Sequence, residues 1–236
     1  MNEYSQSADN SAIQTDARGA NRRATTIKID IVSDAICPWC FVGKRNLELA
    51  AAQLPDTIKL DVHWHPFQLN PDMPKDGVER STYRIRKFGS WARSLELDAQ
   101  VAAAAQQAGL TMRHDLMQRT PNTFSAHRLV WLTGKAGEQS AVVERLFNAY
   151  FIEGLDIGDH EVLTSIGTAE GIAADQMRLF LEGTEGAEEV AAAELTSRKL
   201  GISGVPTVFI NGNFAFSGAQ RPALILAHLR QASSLS

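Results

Sequence analysis

The stretch Ile27-Lys28-Ile29-Asp30-Ile31-Val32-Ser33-Asp34-Ala35-Ile36-Cys37-Pro38-Trp39-Cys40 joins a β-branched run to both cysteines of this 236-residue chain. Ile27 to Ser33 has the composition of a buried strand, and Pro38 fits the first turn of a helix, where its missing N–H costs nothing. Two thiols three residues apart at such a junction can bridge through a small ring. Cys37 falls at the helix N-terminus, where unpaired N–H groups and the helix dipole favour a thiolate. Cys40, one turn inside, is expected to be the more buried sulfur.

The pattern extends outward in both directions. The helix continues through Val42, Leu47, Leu49 and Ala50 to about Gln53 and stops before Pro55. Ile58 to His65 reads as a second strand with Ile58, Leu60, Val62 and Trp64 on one face, completing a β-α-β unit. From about Val78 to Leu200 the chain reads as helices: Asp98–Gly109, Phe124–Gly134, Ser140–Glu153, Glu161–Gly171 and Glu185–Leu200. Strand character returns with Thr207-Val208-Phe209-Ile210. Asn211-Gly212 then signals a tight hairpin into Asn213–Ser217, and Gln220–Gln231 closes the chain as a helix. The order β-α-β, helices, ββ-α makes an α/β fold in which both ends of the chain build one mixed sheet. The implied division is a disordered tail over 1–26, a first sheet part over 27–76, a helical insertion over 77–186 and a second sheet part over 187–236.

A net charge of -4 gives no electrostatic reason to expect nucleic acid or an anionic membrane as partner. No apolar run approaches the roughly 20 residues of a membrane span. The first 26 residues mix Glu3, Asp9 and Asp16 with Arg18, Arg22 and Arg23 and lack an apolar segment, so they read as neither a secretory signal nor a transit peptide. The expectation is a cytoplasmic protein. In a reducing compartment two cysteines at this spacing point to catalysis, redox sensing or metal binding rather than a structural disulfide.

For catalysis, Cys37 is the nucleophile that enters a mixed disulfide and Cys40 the thiol that resolves it. Pro38 and Trp39 between them tune the pair, and Trp39 either lines a substrate surface or packs on the insertion. A zinc site is the metal alternative, with His63 and His65 joining the cysteines, but the same histidines read as a solvated strand face; no metal is expected. Val205-Pro206 stands immediately before a strand, and a cis bond there would turn Val205's backbone toward a neighbouring site. Asp34 reads as a turn or helix-capping residue, with a proton shuttle as its functional alternative. Asn122 and Thr123 read as caps for the helix from Phe124, with a substrate contact by Asn122 as the alternative. His127 reads as a packed or hydrogen-bonded histidine.

Several blocks together resemble the DsbA-like thioredoxin-fold superfamily, and within it the FrnE-type cytoplasmic branch. They are Asp34 with Cys37-Pro38-Trp39-Cys40 and Phe41-Val42-Gly43-Lys44; Pro66-Phe67-Gln68-Leu69-Asn70-Pro71; and Pro121-Asn122-Thr123 with Ala126-His127-Arg128-Leu129. Phe147 to Phe151 with Glu153-Gly154, Gly201 to Thr207 and Gly218-Ala219-Gln220 complete the set. The resemblance implies a thioredoxin fold with an inserted helical domain and a cis-proline at Pro206 facing Cys37. It also implies thiol–disulfide oxidoreductase activity, with Val205, Pro206, Pro38 and Trp39 binding substrate. Some FrnE-type proteins carry a second cysteine pair; this chain has no third cysteine, so that relay is excluded. Glutathione-using relatives generally carry serine where Cys37 stands, which weighs against their chemistry. The expected partners are disulfide-containing proteins or peptides, or glutathione as co-substrate, with no bound cofactor, in a monomer or homodimer. Two other functions compete: a glutathione-dependent isomerase or transferase for an aromatic molecule, and a non-catalytic redox-sensing binding module.

Overall fold

Strand β1 (Thr25–Ser33) buries Ile27, Ile29 and Ile31 on one face by simple alternation. The structure, a computed structural model, describes residues 25–137 and 139–234. The tail expected over 1–26 lies outside the described residues except for Thr25 and Thr26, which belong to β1. Helix α1 (Pro38–Ala51) follows with Cys37 as its N-cap and ends two residues before the expected Gln53. Strand β2 (Ile58–Pro66) then runs parallel to β1, Leu60 opposite Ile27 and Trp64 opposite Ile31.

A helical block interrupts the sheet. It comprises β3 (Val78–Glu79), α2 (Arg80–Phe88), α3 (Trp91–Gln107), β4 (Arg119–Thr120), α4 (Phe124–Gly134), α5 (Gln139–Phe151), α6 (His160–Ala169) and α7 (Ala174–Glu182). Helix α8 (Ala187–Lys199) leads back to β5 (Thr207–Ile210), β6 (Asn213–Ser217) and α9 (Pro222–Ser234). The strand order is β2-β1-β5-β6, with β5 antiparallel to β1 and β6 antiparallel to β5. This mixed sheet with β-α-β and ββ-α halves is a thioredoxin fold. Helix α9 packs on α1 and β1, while α4, α5 and α8 pack on β2. No helix among the described residues is long and apolar enough to cross a membrane.

Four features differ from the sequence reading, the first being α7, which falls between two of the stretches read as helical. Helix α2 was not anticipated, because its sequence is largely polar; its start is set by the Glu79 carboxylate, which accepts from the backbone N–H groups of Ser81 and Thr82. Helix α3 begins at Trp91 rather than Asp98 because Ser90 caps it, accepting from Arg93 N–H at 3.1 Å. The short ladder of β3 with β4 lies in a region read as helical, and two residues per strand leave no alternation to detect.

The core is contiguous from the sheet into the helical block. Phe41, adjacent to Cys40 and fully buried, stacks on Phe147 and Phe151 of α5 with ring centroids 5.0 and 6.0 Å away. Each such ring contributes roughly 1.5–3 kcal/mol by burial alone. A half-buried ionic link reinforces this contact: Lys44 of α1 reaches Glu144 of α5 at 2.6 Å, and Arg45 reaches the same carboxylate at 2.7 Å. The helix carrying the cysteines is thereby fixed against the insertion.

Candidate active site

Cys37 and Cys40 are both free thiols, and both are buried, at 4% and 1% exposure. Cys37 is the more exposed of the two, but it does not project into open solvent. Its carbonyl accepts the N–H groups of Cys40 and Phe41, closing the first turn of α1. The Cys37 sulfur donates to the backbone carbonyl of Val205 at 3.5 Å, across 168 residues of sequence. The Val205–Pro206 peptide bond is cis. Burial pushes the Cys40 thiol well up, and the neighbouring Cys37 sulfur pushes it further; the Ser33 hydroxyl and the Asp34 backbone N–H pull only partly the other way. Cys40 is therefore held protonated in the dithiol form.

Cys37, Pro38, Trp39 and Val205 all line one cleft of about 360 Å³, roofed by α2 and α3. Pro206 does not reach it. It packs beneath, beside Cys40, where Gly43 permits close approach: a Cβ on Gly43 would sit 3.2 Å from Pro206 Cγ. The roof presents Arg80, Arg84 and Lys87 against the single carboxylate of Asp98, a surplus of two positive charges. Asp98 binds both arginines at 2.7 Å. Lys87 instead donates to Tyr83 and Asn70. His114 adds no charge near neutrality, since burial pushes its pKa down.

Asp34 is neither exposed nor a helix cap. Cys37 occupies the cap position, and the Asp34 carbonyl accepts its N–H at 3.0 Å, so the turn part of the reading holds and the capping part is corrected. The Asp34 carboxylate instead accepts the Leu69 N–H at 2.7 Å, pinning the Phe67–Asn70 loop to the floor of the cleft. Arg198 and Glu194 of α8 hold the same loop through the Gln68 backbone. Sequence reasoning did not single out Leu69, Glu194 or Arg198. Only the Pro66–Pro71 block in the resemblance pointed to this loop.

Asn122 is placed away from Cys37. Its side-chain oxygen accepts the Phe124 N–H at 2.9 Å and its amide donates to Met73, on the edge of a different cleft. Thr123 holds the N-cap position of α4 but makes no side-chain cap bond. His63 pairs with Asp61 at 2.9 Å and His65 with Asp30 at 2.8 Å, and no metal-ligating group of three or more residues occurs among the described residues. The register sets His63 opposite Asp30, but Asp30 bonds to His65, two residues further along β2.

A thioredoxin fold with a C-x-x-C pair at the start of α1 and a cis-proline loop against it defines the class of thioredoxin-fold oxidoreductases. The chain belongs to the DSBA-like thioredoxin domain family, whose model matches residues 28–230. It is similar to the probable DsbA oxidoreductase SCO1869 from Streptomyces coelicolor, with 29% identity, a TM-score of 0.80 and coverage of 89% of this chain and 91% of that one. It is 26% identical over 196 residues to the uncharacterized protein YwbO of Bacillus subtilis, covering 82% of this chain and 91% of that protein. The cytosolic disulfide reductase DsbM from Pseudomonas aeruginosa shares the fold at 20% identity and a TM-score of 0.62, over 89% of this chain and all of that one. DsbM is also known in a structure with GSH.

Proposed function

We propose that the chain is a FrnE-type cytoplasmic thiol–disulfide oxidoreductase working through a single dithiol, with Cys37 as nucleophile and Cys40 as resolving thiol. The observation that carries this reading is the division of labour between the sulfurs. Cys37 lines the cleft and touches the Val205 carbonyl, while Cys40 is sealed beneath it and held protonated. A disulfide entering the cleft meets Cys37 first, and only the resulting mixed disulfide comes within reach of Cys40.

The Val205 backbone, with Pro38 and Trp39 opposite, offers an extended peptide a main-chain docking edge beside the sulfur. Pro206 supports that edge from below. A roofed cleft of this size suits a disulfide on an exposed peptide segment or on a small thiol such as glutathione, and the positive roof favours a carboxylate near the disulfide. The GSH complex of DsbM supports glutathione as a partner for this fold. Cytoplasmic residence is part of the same proposal, as is the division into sheet parts over 27–76 and 187–236 around a helical insertion over 77–186.

The test is turnover of insulin and of a glutathionylated peptide. Cys37→Ser is expected to abolish reduction of both, and Cys40→Ser to accumulate a mixed disulfide on Cys37. Reduction by both variants at the wild-type rate would overturn the proposal.

A further inference from the structure

Behind the dithiol, two buried polar atoms face each other without other partners. Asp34 Oδ1 and His127 Nε2 lie 3.3 Å apart, with side chains 0% and 6% exposed, and neither makes a hydrogen bond elsewhere. Buried polar atoms are normally hydrogen-bonded, so the arrangement calls for a reason. His127 also lines a second cavity, of about 180 Å³, together with Ser33, whose hydroxyl reaches the Cys40 sulfur. That cavity shares no lining residue with the substrate cleft: Ala35 faces one and Ile36 the other. Its remaining titratable groups are otherwise placed. His63 and His65 are paired with Asp61 and Asp30, and Glu189 is exposed on α8. Of the three histidines on this cavity, His127 is the buried one, at 6% exposure against 42% for His63 and 39% for His65.

The chemistry needs such a group. Cys40 is 1% exposed, and a mixed disulfide on Cys37 would fill the cleft that otherwise brings solvent nearest to it. We propose that His127, held by Asp34, takes the Cys40 proton during resolution by way of Ser33 and the second cavity, so that proton and substrate use opposite sides of the site. This rests on the thiol–disulfide reading. In the first step the Cys37 thiolate attacks a disulfide RSSR; the Cys37–SR bond forms, the S–S bond breaks, and RS⁻ leaves and is protonated by solvent. In the second, the Cys40 S–H proton passes to His127, the Cys40 sulfur attacks the Cys37 sulfur, and a second RS⁻ leaves and is protonated. The dithiol loses two electrons, RSSR gains them, and His127 returns its proton to water through the cavity. A space of that volume, with Ser33, His127 and Gln139 among its lining to hold them, is large enough for several waters at roughly 30 Å³ each.

The test is rapid acid quench with mass spectrometry of the reduced full chain mixed with the uncharged hydroxyethyl disulfide. For His127→Ala, adduct formation on Cys37 is expected to stay near the wild-type rate while adduct decay slows by about tenfold or more. Imidazole added to His127→Ala should restore decay, and pyrazole, of the same shape but scarcely basic, should not. Asp34→Asn, which keeps an acceptor for Leu69 N–H, should slow decay without slowing formation. Decay unchanged in both variants would overturn the proposal. So would equal rescue by pyrazole, which marks a packing role, or formation slowed as much as decay, which marks distortion at Cys37. Formation of neither a Cys37 adduct nor a Cys37–Cys40 disulfide in the wild type would instead refute the thiol–disulfide reading itself, before any variant is compared.

Discussion

Replacing Asp34 by alanine is the most informative single perturbation of the scaffold beneath the cysteines. The residue is fully buried, and its carboxylate holds the Leu69 N–H at 2.7 Å and faces His127 at 3.3 Å. Alanine removes a hydrogen bond to a carboxylate, worth about 1.5–3 kcal/mol, and strands a backbone donor and an imidazole at about 1–3 kcal/mol each. Relief of the carboxylate's own desolvation offsets part of this, leaving a loss of about 3–4 kcal/mol. At about 2–4 °C per kcal/mol for a chain of this size, the thermal midpoint should fall by about 6–16 °C. Asp34→Asn keeps a carbonyl for Leu69 and turns an amide toward His127, so it should cost no more than about 1 kcal/mol. Urea unfolding of the reduced proteins at neutral pH measures both differences. An alanine variant within about 1 kcal/mol of wild type, or an asparagine variant as damaged as the alanine one, would refute the reasoning.

Other consequences follow from the same geometry. Burial works to raise the Glu144 pKa, but Lys44 and Arg45 outweigh it, so the folded value is lowered; its contribution is full above the unfolded value of about 4.3 and lost as pH falls through the folded one. Glu144→Gln should therefore cost about 1–2 kcal/mol at pH 7, with the two unfolding curves converging in acid; a pH-independent gap would contradict this. Gly43→Ala should forgo the gain of about 1 kcal/mol expected from helix propensity, because its Cβ meets Pro206 at 3.2 Å. Gly43→Val should lose about 1–3 kcal/mol in chemical denaturation, and a Gly43→Val protein as stable as wild type would show that the contact is slack. Lys87→Glu should raise KM for oxidised glutathione by about fivefold, as an exposed charge allows, while leaving hydroxyethyl disulfide unaffected; equal effects on both would remove the charge argument.

The parts of the fold legible in the sequence are those fixed by neighbours in the chain. Ile27 to Val32 alternates into the core, Pro38 starts α1 where expected, and Asn211-Gly212 forms the hairpin with both residues at positive φ. The cysteine spacing and the strand-to-helix junction were likewise local. What could not be read depends on residues far apart. Lys44 looks like a surface lysine until Glu144, 100 residues on, covers it. Asp34 looks like a cap until Leu69 supplies the partner. Arg128 entered only as part of the Ala126–Leu129 block of the resemblance, with no role read for it, yet it is buried and ties α4 to the end of α7 by donating to the Phe180, Leu181 and Gly183 carbonyls. Helix α2 was missed because its polar side chains face the cleft as well as solvent, which erases the apolar stripe that marks a packed helix.

The central claim, that Cys37 and Cys40 form one redox couple divided into an attacking and a resolving thiol, is tested most directly by a glutathione redox titration read by mass spectrometry. The wild type should pass from dithiol to an intramolecular Cys37–Cys40 disulfide in a single two-electron transition, about 30 mV per tenfold change in ratio, with little adduct at equilibrium. In Cys40→Ser the only product should be glutathione on Cys37. Glutathione on Cys40 in the wild type, or no intramolecular disulfide at any potential, would contradict the account.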